Sequence, residues 1–155
     1  MKYKWFLGTS GMVLGVDQIS KWLVIEYLIP YKDVIKLTPF LNLIHIRNTG
    51  IAFGIFAGNQ SPLREPFILL LTASAILGLF LYLYYSKDIN FIRLIACGLI
   101  LGGALGNFID RLLRGEVIDF IDLHIAHHHW PAFNVADSAV SLGVFLLLLH
   151  LAFKK

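Results

Sequence analysis

Two aspartates stand at the boundaries of strongly apolar stretches, Asp119 in the run VIDFID and Asp137 in the run FNVADS. A carboxylate beside hydrocarbon is costly, so it usually has a partner or a chemical task. Two carboxylates that converge from separate elements can share one proton and activate a water molecule. These residue types therefore suggest hydrolysis by acid–base catalysis with a pair of aspartates.

Asp137 also has a simpler, structural explanation. It falls in the first turn of a predicted helix, where free N–H groups and the helix dipole stabilise an acid, and Asn134 could be the cap. Its position alone favours this capping role. Asp119 has a weaker structural explanation, because it lies in an apolar strand-like run where an unpaired carboxylate is costly. Asp122 alternates to the other strand face, where we expect it to be solvated.

Metal and serine chemistry find less support. His124, His127, His128 and His129 lack the spacing of a dedicated metal site, no HExxH motif occurs, and clustered loop histidines are more often a solvated, pH-sensitive surface. Neither GxSxG nor SxxK is present. Cys97 is the only cysteine, which excludes an intramolecular disulfide and a cysteine-rich metal site. We therefore expect no metal and no cofactor.

The chain of 155 residues is too apolar for a soluble domain. Hydrophobic residues make up 57% and charged residues 15%, which is too few to cover a water-facing surface. The sequence therefore predicts an α-helical integral membrane protein with a single domain over residues 1–155. The basic residues behind the net charge of +3 cluster at the ends of apolar segments, which indicates topology signals and not nucleic-acid binding.

Four apolar segments are predicted to be transmembrane helices. They cover about residues 5–25, 67–85, 91–109 and 136–153. The region between the first two, residues 26–65, contains turn signals and short β-branched runs, which predict a sheet of three or four strands lying on the membrane. Residues 110–136 are predicted to be a loop rich in ionisable side chains.

The charges of the short flanks predict the orientation of these helices. Four spans place both termini on one side, whose flanks have a net charge of +5. The charged residues on that side are Lys2, Lys4, Lys87, Arg93, Lys154 and Lys155, opposed by Asp88. The positive-inside rule makes this side cytoplasmic, so residues 26–65 and 110–136 are predicted to face outward.

Asp17 and Lys21 lie four residues apart, on one face of the first helix. They are either an ion pair that makes the helix tolerable in lipid, with Lys21 snorkelling, or a brace for a site on the far side; their spacing favours neither. Asn48 and Gly50 interrupt an apolar run, where local rules favour a hairpin turn with a glycine bulge. Neighbouring His45 and Arg47 have no partner that the sequence identifies.

Glycines at four-residue spacing predict close helix contacts. They are Gly11 and Gly15 on the first helix, and Gly98, Gly102 and Gly106 on the third. Asn107, Asp110 and Arg111 follow at the end of the third helix, where polar side chains can reach a neighbour. Arginine there can bind a carboxylate or phosphate through two hydrogen bonds.

Five motifs in order resemble the bacterial lipoprotein signal peptidases, also called signal peptidase II. The motifs are DQISK with Asp17 and Lys21, RNTGIAFG with Asn48 and Gly50, GGALGNFIDR with Asn107 and Arg111, GEVIDFI with Asp119, and FNVADS with Asn134 and Asp137. Each motif is weak alone, but together they cover nearly the whole chain. The histidine run 127–129 matches none of the family's motifs.

The resemblance implies a membrane aspartyl protease that removes signal peptides from diacylglyceryl-modified prolipoproteins, cleaving before the lipid-modified cysteine. It implies that Asp119 and Asp137 are the catalytic dyad. The residues it implies for site support or substrate binding are Asp17, Lys21, Asn48, Gly50, Asn107, Arg111, Asn134 and Ala136. It also implies an extracytoplasmic β-cradle at 26–65, a monomer among the lipids of the bacterial cytoplasmic (inner) membrane, and inhibition by globomycin-like peptides.

Two other classes of function remain open from the residues alone. A small transporter or channel could use the intramembrane aspartates and lysine as a proton path, but it requires polar residues through the bilayer centre, whereas these cluster toward one face. A non-catalytic assembly subunit could use the glycine stripe for packing, and it would tolerate loss of both aspartates.

Overall fold

The computed structural model of the protein describes residues 3–50, 61–86 and 90–153. Its elements are α1 Lys4–Tyr27, β1 Val34–Thr38, β2 Leu41–Asn48, α2 Arg64–Tyr85, α3 Phe91–Arg114, β3 Val117–Ile125, β4 His128–His129 and α4 Val135–Ala152. All four predicted helices are present. The predictions for the strand-like run within 51–60, and for the flanking charges at positions 2, 87, 88, 154 and 155, lie outside the described residues.

Three of the described helices, α2, α3 and α4, are long and apolar enough to cross a membrane. The 24-residue α1 does not meet the same criterion, because Asp17, Gln18 and Lys21 lower its hydropathy. The predicted class, a helical membrane protein with a small sheet, is therefore confirmed in part. The described residues contain three helices that are long and apolar enough to span a membrane, and a small antiparallel sheet. The fourth span and the side that the sheet faces stay predictions.

Helix α3 is the centre of the bundle and contacts α1, α2 and α4. Its glycine stripe makes the predicted close helix contact, and the structure shows that the partner is α1. A Cβ at Gly98 or Gly102 would lie 2.7 Å from a backbone oxygen of α1, so a side chain there would force the helices apart. Gly11 and Gly15 behave differently. A Cβ at either position meets nothing within 4 Å, so this pair makes no helix contact in the described chain.

The sheet has four antiparallel strands in the order β1-β2-β3-β4. The prediction that residues 26–65 alone supply three or four strands does not hold for the described residues, where this region contributes β1 and β2. The segment 110–136, predicted as a loop, supplies β3 and β4. The physical reason is pairing: β2 would otherwise be an edge strand with unpaired N–H and C=O groups, and the nine-residue β3 satisfies them.

Helix α3 continues five residues beyond its predicted end at 109, so Asp110 and Arg111 are helical and not part of a loop. The apolar pattern stops at Ile109, but the helix continues, because Asp110 forms an ion pair with Arg114 one turn later, at 2.7 Å. Gly115 then ends the helix in the left-handed conformation, with φ 71°, and its N–H bonds the Arg111 carbonyl.

Candidate active site

Asp119 on β3 and Asp137 in the first turn of α4 line the same cavity, which has a volume of about 580 Å³. Asn48 from β2, and Asn107 and Arg111 from α3, line it too. Strand β3 reaches the bundle because its apolar residues pack on the C-terminal part of α1. Residues far apart in the sequence thus meet where the sheet joins the helices.

Amide N–H groups hold all four carboxyl oxygens of the two aspartates. Asn48 Nδ2 donates to Oδ2 of Asp119 at 2.9 Å, and Asn134 Nδ2 donates to Oδ1 at 2.7 Å. Asn107 Nδ2 donates to Oδ1 of Asp137 at 2.8 Å, and the backbone N–H of Asn134 donates to Oδ2 at 3.3 Å. The two carboxyl groups are therefore fixed in orientation without a cation in direct contact with either in the described residues.

The capping role considered for Asp137 is present in the structure. The side-chain oxygen of Asn134 accepts the backbone N–H of Asp137 at 2.9 Å, and together with the reciprocal bond this forms a capping box at the start of α4. Asn134 is fully buried and also contacts Asp119, so the same cap ties α4 to β3. Asp137 therefore caps α4 and lines the cavity at the same time.

The pKa of the Asp119 carboxyl is raised from 3.8 to about 7, mainly by burial and then by the negative charge of Asp137, although the hydrogen bonds from Asn48 and Asn134 oppose the rise in part. A carboxyl with this pKa carries a proton for a large fraction of the time at neutral pH. The arrangement therefore provides an acid and a base at one position, as hydrolysis by a carboxyl pair requires.

Lys21 is fully buried beneath this pair and does not snorkel to the membrane surface. Its ammonium lies 2.8 Å from a carboxylate oxygen of Asp17 and 2.8 Å from one of Asp110, and it donates to Oδ1 of Asn107 at 2.8 Å. Because the side-chain oxygen of Asn107 accepts this hydrogen bond from Lys21, the NH₂ group of Asn107 points to Asp137. The ion pair and the brace considered for Lys21 are therefore both present.

Asp17 ties α1 to the start of α4, because its Oδ1 accepts the backbone N–H of Ala136 at 2.9 Å. Gly106 leaves the space for this contact, since a Cβ there would collide with the Asp17 carboxylate.

Asp17, Lys21, Asn107 and Asp110 thus form a buried polar network between α1 and α3. Two further members of this network were missed from the sequence. Gln18 donates to Asp17 and to the Gly106 carbonyl, and Arg114 pairs with Asp110; the four-residue spacing of Asp110 and Arg114 was the available signal.

Arg111, which lines the cavity, contacts Gly50. The Arg111 guanidinium donates to the Gly50 carbonyl and lies 3.6 Å from a carboxylate oxygen of Glu65. The Gly50 N–H in turn donates to Oδ1 of Asn48 at 2.8 Å, which is a local side-chain turn after β2. The predicted glycine bulge beyond it lies outside the described residues.

The prediction that Asp122 is solvated is wrong, because only 6% of the residue is exposed. Asn42 Nδ2 donates to one carboxylate oxygen at 2.7 Å, and His129 Nδ1 lies 2.8 Å from the other. Burial raises the pKa of Asp122, but these two hydrogen bonds outweigh it and hold the pKa below its usual value. Alternation identified the strand face correctly, but β4 and the side chain of Asn42 cover that face.

Other partners that the sequence did not reveal are equally non-local. His45 is buried, with Nδ1 2.8 Å from the Leu28 carbonyl, and Arg47 pairs with Glu116 at 2.9 Å. Within residues 3–50, 61–86 and 90–153, no three His, Cys, Asp or Glu side chains are placed to hold a metal ion.

The cavity walls are mainly apolar. Ile68 and Thr72 of α2, Ala104 of α3 and Val140 of α4 form the helical side, and residues 130–133 form the side nearest the sheet. Such a site accepts a ligand with a large apolar part and presents the carboxyl pair to it at one end.

Residues 9–153 match the family model of Signal peptidase (SPase) II. The chain is similar to the lipoprotein signal peptidases of Thermodesulfovibrio yellowstonii, with 47% identity over 137 residues, and of Aquifex aeolicus, with 43% over 150. These alignments cover 88% and 97% of this chain and 87% of each relative. Two solved structures of bacterial membrane enzymes align with TM-scores of 0.85 and 0.84, at 34% and 33% identity, covering 95% and 97% of this chain and 87% and 94% of theirs. The chain belongs to the signal peptidase II family.

Proposed function

We propose that this chain is an aspartic endopeptidase that removes signal peptides from diacylglyceryl-modified prolipoproteins, cleaving before the lipid-modified cysteine. The observation that carries the proposal is the convergence of Asp119 and Asp137 on one apolar-walled cavity, with every carboxyl oxygen held by an N–H group. Membership of the signal peptidase II family supports the same reaction and substrate class.

In the proposed reaction, the pair begins with one proton between its two carboxyl groups. We assign this proton to Asp119, whose carboxyl is buried and has a raised pKa, and the role of base to Asp137. Asp137 takes a proton from water as the water oxygen attacks the scissile carbonyl, while the Asp119 proton hydrogen-bonds the carbonyl oxygen. Collapse of the tetrahedral intermediate breaks the C–N bond, and a proton from the pair passes to the leaving amine. The attacking water replaces the proton that the pair gives to the amine, so the pair returns to its starting state, and no acyl-enzyme forms.

The apolar walls give the lipid part of the substrate its role. Side chains from α2, α3 and α4, including Ile68, Ala104 and Val140, would hold the diacylglyceryl chains next to the carboxyl pair. Binding energy from this remote group then places the scissile bond over the aspartates, which lowers the entropic part of the barrier. We assign peptide binding near the cleavage point to Asn48 and Arg111, which line the cavity, and to Gly50, which bonds to both.

We further propose that α1 is a fourth membrane span in a single domain over residues 1–155, which acts as a monomer surrounded by lipid. The charged groups of α1 favour this, because Asp17 and Lys21 face α3 inside the bundle. There the carboxylates of Asp17 and Asp110 are balanced by the cations of Lys21 and Arg114. The basic flanks predict cytoplasmic termini, which puts the cavity at the extracytoplasmic face of the bacterial cytoplasmic membrane.

The transporter alternative is not supported. The polar groups of the network lie in the second half of α1, the second half of α3 and the first turn of α4, all at the end of the bundle that carries the sheet. A transport path requires such groups along the whole thickness of the membrane.

Purified protein incubated with a lipidated prolipoprotein tests the proposal through release of the signal peptide. We expect the parent to release it, and Asp119→Asn and Asp137→Asn each to reduce the rate at least about a hundredfold. Asp33→Asn is the matched control, because Asp33 bonds the Ile29 N–H in the connection between α1 and β1 and does not line the cavity. If Asp137 served only as a cap, asparagine would cap about as well and Asp137→Asn would keep most of the activity.

A further inference from the structure

A second carboxylate on β3, Asp122, is buried close to the cavity and has no part in the proposed reaction. It lies on the strand face opposite Asp119, where Asn42 of β2 and His129 of β4 bind its two oxygens at 2.7 and 2.8 Å. Since its pKa lies below the usual value, it is a carboxylate at neutral pH and accepts both bonds, so His129 Nδ1 is the donor. We call these three residues the β3–β4 clamp.

The clamp holds the strand that leads directly into one wall of the cavity. Strand β4 has only two residues, and the chain passes from His129 to residues 130–133, all four of which line the cavity. Backbone bonds attach this wall at its two ends: the Trp130 N–H donates to the Leu123 carbonyl at 2.8 Å, and the Phe133 N–H donates to the Ile121 carbonyl at 3.1 Å. Such a short strand is weakly held by its backbone alone.

We propose that Asp122 and His129 are positioning residues that hold the wall formed by residues 130–133 in place for substrate binding. This inference rests on the proposed function, since the bound group is taken to be the lipid-modified part of a prolipoprotein. Within the clamp, Asn42 and His129 both bond to the Asp122 carboxylate, which holds the His129 ring in place. His129 then fixes the start of the wall, and the wall closes the sheet side of the cavity. The histidine run 127–129, which matches no motif of the family, thereby acquires a function at one of its positions.

The effect belongs to binding and not to the chemical step. Asp119 and Asp122 point to opposite strand faces, and Asp122 is not among the groups that shift the pKa of Asp119. Loss of the clamp should therefore loosen the wall and leave the proton equilibrium of the catalytic pair unchanged. The groups that face His129 are the Asp122 carboxylate and the ring of His124, stacked on it at 4.9 Å between centroids.

The test is His129→Leu, which removes the donor at a half-exposed position and should leave the fold intact. We expect KM for a lipidated peptide to rise about fivefold, kcat to stay within about twofold, and the pH dependence of the rate to be unchanged. His129→Asn retains an N–H donor near the position of Nδ1 and should restore KM. His127→Leu is the matched control, since His127 is exposed in the turn between β3 and β4.

Hydrogen exchange gives a readout that needs no cleavage. The Trp130 amide should exchange about fivefold faster in His129→Leu than in the parent or in His127→Leu. An unchanged Trp130 amide, an unchanged KM, or a fall in kcat with a shifted pH profile would each overturn the clamp. A parent protein that cleaves no lipidated peptide would instead refute the proposed function, and the clamp would then be judged on hydrogen exchange alone.

Discussion

Replacing Asp119 by asparagine should stabilise the protein at neutral and alkaline pH while it abolishes cleavage. The pKa of Asp119 is about 7 in the folded protein, mainly because of burial, against an ordinary value of 3.8. A carboxyl whose pKa is raised by folding contributes stability below 3.8, and this contribution is lost as the pH rises through about 7. The ionised Asp119 of the parent is therefore a source of instability above neutral pH.

The size of this effect follows from the two pKa values. At about 1.4 kcal/mol per pKa unit, the rise from 3.8 to about 7 corresponds to a cost of about 4 kcal/mol at pH 8 and well under 1 kcal/mol at pH 4. Asparagine removes this cost but loses one hydrogen bond, because it cannot accept from both Asn48 and Asn134; that loss is about 1 kcal/mol. We expect Asp119→Asn to be more stable by roughly 2–3 kcal/mol at pH 8 and slightly less stable than the parent at pH 4.

The measurement is the unfolding midpoint of both proteins in the same detergent at several pH values between about 4 and 8. Asp33→Asn serves as the control, because its side chain lies in the connection between α1 and β1 and does not line the cavity, so its midpoint should follow that of the parent. A stability difference that does not change with pH would refute the argument, since it would mean that Asp119 titrates normally in the folded protein.

Three further predictions concern the frame of the site. Lys21→Met should destabilise the protein by about 3–5 kcal/mol in detergent unfolding, because it leaves buried carboxylates without their cation; an unchanged stability would contradict the buried ion pairs. Gly102→Ala should destabilise it by about 1–3 kcal/mol in the same assay, whereas Gly11→Ala should be neutral or slightly stabilising; equal effects would contradict the α1–α3 contact. His128→Cys in a Cys97→Ala background should react with an impermeant thiol reagent added outside intact cells, and labelling only after permeabilisation would reverse the proposed orientation.

The length of the apolar segments was sufficient to find all four helices, because a run of about 20 apolar residues is typical of a membrane-spanning helix. It could not find the end of α3, since Asp110 continues the helix through ion pairs with Lys21 and Arg114 and not through apolar contacts. It also could not assign the strands of the sheet, because β2 pairs with a segment that lies beyond two helices in the chain. Strand pairing at that separation leaves no local signal.

In the candidate site, too, local sequence patterns predicted some features and could not predict others. The cost of a carboxylate beside apolar residues singled out Asp119 and Asp137. The spacing of Asp17 and Lys21 placed them on one helix face but did not decide between an ion pair, which the structure contains, and a brace for the site. The partners of Asp122 and His45 come from other elements, so alternation along one strand could not show that these side chains are covered. Local patterns identify groups that are costly to bury, and the tertiary structure determines what stabilises them.

The pH dependence of kcat/KM for a lipidated peptide tests the shared proton most directly. Two like charges about 4 Å apart repel by roughly 4 kcal/mol at an effective dielectric constant near 20, which separates the two titrations of a carboxyl pair by a few pKa units. Since Asp119 has a pKa of about 7, the rate should be bell-shaped, with an acidic limb where the base is lost and a second limb near or somewhat above neutral pH where the acid is lost. A rate that still climbs at about pH 10, with no second limb, would indicate a lysine or serine base and contradict the aspartate pair.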